Sequence, residues 1–270
     1  GGTRVAPSAL PTLAVQLYTI RDQIKQDPAA ALARLASLGY TTVETAFWPE
    51  GMTVQQGARL LRDAGLTACS AHIELPVGDK RDAMLAAAKA YGCTRMIWHG
   101  WPEDARYSSL EGTRELARAY NEAHRFAKAN GLQFGLHNHW WEYRNRVGGR
   151  YVFEVLLDEI DPGIFLEVDC YWVKVAGHVP AEVLRRLGDR AQMLHIKDGP
   201  ARWSEKLAED NPDPMTAVGE GTQDWAAIAA ASAGHARYMV VEMDKVVGDP
   251  FDALARSRDF MVRRGIVAGR

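Results

Sequence analysis

Residues 110–139 read LEGTRELARAYNEAHRFAKANGLQFGLHNH, and the fold can be read outward from them. Over Leu110–Ala129 apolar and polar residues alternate with the period of an amphipathic helix. Gly131 then stands just past the helix end, where a residue free to adopt a left-handed backbone is favoured. Leu132–Leu136 follows as a short apolar run of strand length. His137 and His139 close it two residues apart, so both imidazoles leave an extended chain on the same side, and Glu142 comes three residues later.

The same unit recurs along the chain. Strand-like runs lie at Leu13–Leu17, Thr42–Thr45, Leu66–Ala71, Arg95–Trp98, Leu132–Leu136, Ile164–Val168, Gln192–Ile196 and Tyr238–Val241. Helical segments follow at Pro28–Leu38, Val54–Ala64, Lys80–Ala90, Leu110–Ala129, Val152–Ile160, Pro180–Leu187, Trp225–Ala233 and Pro250–Arg264. Asp27-Pro28 and Asp249-Pro250 suit an N-cap followed by proline in the first turn, and Gly39, Gly65, Gly92 and Gly265 stand past helix ends. Eight strand–helix pairs predict an α/β fold, a single-domain (β/α)8 TIM barrel over residues 12–268, with an open doubly wound sheet as the alternative. Residues 1–11, polar and proline-containing, read as a flexible N-terminal segment, either a trimmed start or the stub left by a signal peptide, so both a cytoplasmic and an exported location are open. Residues 199–221 lack periodicity and read as a functional loop after the seventh strand.

Composition narrows the function. The net charge of −2, with acids and bases intermixed, gives no field to recruit nucleic acid, and no apolar run is long enough to span a membrane. Cys69, Cys93 and Cys170 are widely spaced and read as small core residues.

In a barrel of this kind chemistry gathers at the C-terminal strand ends. There the chain places Gln16, Tyr18, Glu44, His72, Glu74, His99, His137, His139, Glu142, Glu167, Asp169, His195, Lys197, Asp198, Glu242 and Asp244. A lone histidine such as His72 or His99 is more often a hydrogen-bonded core residue. Glu142, Asp169, His195 and Glu242, from four successive strands, instead form the donor set of a divalent cation with open positions for substrate oxygens. Seven of the eight tryptophans, at positions 48, 98, 101, 140, 141, 172 and 203, fall at or after strand ends, and rings such as Trp48 and Trp172 suit the apolar faces of a sugar. No glycine-rich phosphate or dinucleotide loop is present: GEGT at 219–222 is short and follows no strand.

The series VQLYTIRD (15–22), VETAFW (43–48), GLHNHWWEY (135–143), FLEVDCYWVKVAGH (165–178), MLHIKD (193–198), VGEGTQDW (218–225) and VVEMD (240–244) resembles the sugar phosphate isomerase/epimerase family of xylose-isomerase-like TIM barrels. The resemblance spans nearly the whole chain and implies one divalent ion, most often manganese, with zinc, magnesium or cobalt as alternatives. It implies Glu142, Asp169, His195 and Glu242 as ligands, with His137 as the alternative to Glu142. Many family epimerases carry a strand-borne Glu-Pro where this chain has His137-Asn138-His139. The reaction implied is sugar isomerisation or epimerisation by proton abstraction next to a carbonyl through an enediolate. His139 is the expected base, Glu142 or Glu242 an acid/base on the opposite face, and Lys197 a stabiliser of negative charge. Glu44, His72, His99, His137, Trp48 and Trp172 are expected to bind substrate. The His-x-x-Glu spacing also resembles the 3-keto-glycoside β-eliminating lyases, and inosose dehydratases belong to the same group. A non-catalytic sugar-binding protein and a DNA-repair endonuclease are the remaining readings. A small sugar or keto-sugar is the expected partner, with a homo-oligomer also open.

Overall fold

Parallel strands close into a barrel in the computed structural model, which describes residues 9–208 and 210–269. The strands are β1 (Thr12–Gln16), β2 (Thr42–Thr45), β3 (Thr67–Ile73), β4 (Arg95–Trp98), β5 (Gln133–His137), β6 (Phe165–Asp169), β7 (Ala191–Ile196) and β8 (Tyr238–Val241). Each pairs in parallel with its neighbours in sequence, and β1 closes on β8, Leu13 opposite Met239. All eight expected N-termini lie within one residue of these, and β3 extends two residues beyond its expected end. The expectation for residues 1–8 lies outside the described residues.

Local chemistry sets the helix starts. Asp27 caps Pro28–Ser37 by accepting the Ala30 N–H at 3.1 Å, and Asp249 caps Pro250–Arg263 by accepting that of Phe251 at 3.0 Å. The apolar faces of the helices close on the outside of the barrel through buried Leu32, Leu35, Leu61, Met84, Leu116 and Leu254. Each such side chain contributes roughly 1.5–3 kcal/mol.

The barrel interior is layered. Ala14, Cys69, Ile97, Phe165, Met193 and Val240, one from each of six strands, form an apolar cluster separate from the outer core. Phe165 fits because β5 carries Gly135, where an added Cβ would lie 2.5 Å from the Phe165 ring. Two residues further along four of these strands come Gln16, Glu167, His195 and Glu242, all buried. Because side chains alternate along a strand, these share the inward face with the apolar layer and stand on its C-terminal side.

Short elements that the sequence reading did not foresee follow the strand ends. Helical turns run over Trp141–Arg144 and Cys170–Val175, and a small hairpin pairs Arg146–Val147 with Arg150–Tyr151. The loop after β7 is anchored by Asp198, whose carboxylate accepts N–H groups from Gly199, Gly219, Gln223 and the Trp225 indole. His124 is buried on the inner face of its helix, 3.4 Å from Asp161. Among the described residues no helix is long and apolar enough to cross a membrane.

Candidate metal centre

Two histidines define the centre by what each nitrogen faces. His137 Nδ1 lies 2.9 Å from the His99 carbonyl oxygen, which can only accept, so the ring proton sits on Nδ1. Nε2 then carries a lone pair, and it faces Asp169 Oδ2 at 3.2 Å. Burial, reinforced by His195, pushes His137 down to about 4, so the ring is neutral near pH 7 and an acceptor faces an acceptor.

His195 is held from the other side. Its Nε2 stands 2.6 Å from Glu44 Oε1 and 2.9 Å from Glu167 Oε1, which places a proton there. Its Nδ1 is buried with no hydrogen-bond partner, 3.7 Å from Asp169 Oδ2 and 3.5 Å from Glu242 Oε1. Burial alone would lower the His195 pKa. The carboxylates of Glu167, Glu242 and Glu44 outweigh it and hold the ring well above its ordinary value, so the geometry calls for positive charge at Nδ1. His137, Asp169 and His195 present donor atoms that all lie within 4.8 Å of one another. Two imidazole nitrogens and one carboxylate, with Glu242 3.5 Å from His195 Nδ1 and the far ring nitrogens fixed by a carbonyl and by carboxylates, are the donors and the outer support of a divalent-ion site. The residues present fit such an ion.

Glu44, His72, Glu167 and His195 form a second group of donors within the same span. His72 Nε2 lies 2.8 Å from Glu44 Oε1 and 2.7 Å from Glu167 Oε1. Burial lowers the His72 pKa, but the two carboxylates raise it to about 10, so His72 is protonated at neutral pH. Gln16 and Ser70 donate to Glu44 at 2.9 and 2.7 Å. These imidazole nitrogens are already committed to carboxylates, which makes this group the support of His195 rather than an open cradle.

Lys197 is buried, with Nζ 2.6 Å from Asp169, 2.9 Å from Glu242 and 2.9 Å from Asp244. Its ammonium also lies 5.0 Å from the ring centroid of buried Trp172, which packs edge-on to Trp140. Asp169 is held well below the carboxylate range: burial opposes ionisation, and the Lys197 ammonium overcomes it.

Other expected residues stand elsewhere. Glu142 is not brought to the cluster: both carboxylate oxygens face the backbone N–H of His139, at 3.1 and 3.2 Å. Burial raises its pKa to about 8. His139 stacks on Trp141 with ring centroids 4.3 Å apart and lies edge-on to His137 at 5.0 Å. Its Nδ1 is buried without a partner, and burial together with His137 and Lys197 keeps the ring neutral. Trp48 does not line the mouth: it rests where a Cβ on Gly57 would be and donates to Tyr91 at 2.6 Å. The His99 ring faces Glu74 at 3.3 Å, and it is the His99 carbonyl that serves the cluster. Glu167 and Asp244 are the residues whose part was not read from sequence. The signal for Glu167 was its place two residues before Asp169 on one strand, hence on the same face.

A family model described as xylose isomerase-like TIM barrel matches residues 32–264. The chain belongs to that family. No curated protein matches it in sequence. Among solved structures it is similar to a sugar phosphate isomerase/epimerase from Parabacteroides distasonis ATCC 8503, at 20% identity over 98% of each chain with a TM-score of 0.76. It is also similar to an L-ribulose 3-epimerase, at 16% identity over 95% of each chain with a TM-score of 0.68. A D-allulose 3-epimerase from Methylomonas sp. aligns at 19% identity over 96% of this chain and 100% of that one, with a TM-score of 0.66. At these identities the likeness speaks for the barrel.

Proposed function

We propose that this family member is a divalent-metal-dependent sugar isomerase or epimerase that removes a proton next to a carbonyl. The observation that carries the reading is the buried, unpartnered His195 Nδ1 facing Asp169 and Glu242 beside the His137 lone pair. His137, Asp169, His195 and Glu242 would hold the ion, with manganese first and zinc, magnesium or cobalt as alternatives. When bound, such an ion supplies Lewis-acid polarisation of a substrate carbonyl and its neighbouring hydroxyl.

The chain's own groups do the rest. His139, neutral and edge-on to His137, takes the proton through its imidazole. Glu142 acts on it from behind, by fixing the backbone of the turn that presents the ring. Lys197, cationic between three carboxylates, offsets negative charge that develops on substrate oxygen. Trp172, buried against Lys197 and Trp140, backs the site and holds the ammonium in place. Reprotonation of the enediolate completes the epimerisation or isomerisation. A β-eliminating lyase is the second reading, favoured by the His139-x-x-Glu142 spacing, which sets a neutral imidazole and a carboxyl group three residues apart at the end of β5.

The test is turnover of a panel of keto-sugars in D2O with manganese and without nicotinamide, read by NMR. Deuterium should enter at the carbon next to the carbonyl, and His139→Ala should stop it. Turnover with no deuterium in the product would show a hydride shift and remove His139 from the role of base.

A further inference from the structure

We propose that the opposite, N-terminal mouth of the barrel binds a small phosphate-bearing molecule. A pocket of about 500 Å³ opens there, lined by Thr12, Thr42, Thr67, Arg95 and Tyr238 together with the turns at Gly65 and Gly92. Along their strands Thr12, Thr67, Arg95 and Tyr238 stand two residues before Ala14, Cys69, Ile97 and Val240 of the inner apolar layer, so they share its inward face. A barrel interior is ordinarily filled by bulky branched side chains. Here the lowest layer has threonines on three adjacent strands, which leaves the space open.

The chemistry of that space has one sign. Among the described residues Arg95 is the one charged side chain in the lining, and none of the lining residues is acidic. Its guanidinium lies over the Tyr238 ring, 5.0 Å from the centroid, and its Nε is buried without a hydrogen-bond partner. Among the described residues Arg95 makes no ion pair, although the protein elsewhere pairs arginines such as Arg34, Arg106 and Arg256 with carboxylates. A half-buried guanidinium set over an aromatic ring, lining a pocket of threonine hydroxyls with no carboxylate to pair it among the described residues, is suited to a tetrahedral oxyanion. The planar fork takes two oxygens, and threonine hydroxyls are available to the others. A carboxylate has fewer acceptor positions to use. The strands separate this pocket from the candidate metal centre by on the order of 15 Å, so the ligand would not compete with substrate.

Inorganic phosphate is the probe, titrated calorimetrically at constant ionic strength, with EDTA present so that the metal centre binds none. The expected result is saturable binding of one phosphate per chain, weakened at least about tenfold in Arg95→Gln and unchanged in Asp169→Asn. Thr67→Val should weaken it to a smaller degree, and that variant carries the test if Arg95→Gln does not fold. Acetate should bind more weakly than phosphate. Absence of saturable binding, equal binding in Arg95→Gln or in Thr67→Val when that variant carries the test, or a preference for acetate would overturn the proposal.

Discussion

Glu142 is ionised when the chain is unfolded and protonated when it is folded over most of the physiological range, and replacing it by glutamine should expose that difference. Its side chain is buried, it accepts the His139 N–H, and burial carries its pKa from 4.5 to about 8. A group raised on folding contributes stability that is fully present below its unfolded pKa and is lost as pH rises through the folded one. The window here is therefore pH 4.5 to about 8. At about 1.4 kcal/mol per pH unit, roughly 3 kcal/mol of stability is lost by pH 7 and roughly 5 at the top of the window. Glutamine keeps an acceptor for the His139 N–H and does not titrate. Glu142→Gln should thus match the wild type near pH 4.5 and exceed it by up to about 3 kcal/mol at pH 7, read from urea unfolding across pH 4.5–9. Glu142→Ala removes the acceptor and should cost about 1–3 kcal/mol even at pH 5. Parallel pH profiles for wild type and Glu142→Gln, or a glutamine variant less stable at pH 7, would refute this. The second result would place a cation at Glu142.

Gly135→Ala should destabilise by about 1–3 kcal/mol, since the new Cβ meets the Phe165 ring at 2.5 Å inside the barrel, and thermal unfolding reads it directly. His139→Ala should keep the fold and bound metal and lose roughly 10²–10⁴ in the rate of solvent proton exchange, while Trp172→Ala, which empties a buried ring site, should cost about 3–5 kcal/mol of stability, read by urea unfolding.

The barrel was legible because most β/α units carry their own period and several also a cap or a glycine stop, as residues 110–139 do. The polar mouth was legible for the same reason, since Asp169, His195, Lys197 and Glu242 stand at strand ends that alternation points inward. Glu142 was harder. It reads as a continuation past β5, but the chain turns helical at Trp141, which carries the next carboxylate back to the His139 backbone. The meeting of Glu44 with Glu167 around His72 and His195 depends on register shifts at Val43/Glu44 and Leu166/Glu167. A single strand's sequence does not carry them. Trp48 left the mouth because Gly57, on the following helix, opens a seat for its ring.

Metal content and affinity across four proteins test the candidate centre most directly. Purified wild type, His195→Ala, His137→Ala and Glu142→Gln are dialysed against manganese and then assayed by inductively coupled plasma mass spectrometry and calorimetric titration. The expected result is about one ion per chain in the wild type and in Glu142→Gln, none retained in His195→Ala, and much weakened binding in His137→Ala. Full occupancy in His195→Ala, or loss of the ion in Glu142→Gln with His137→Ala unaffected, would contradict the centre built on His137, Asp169, His195 and Glu242.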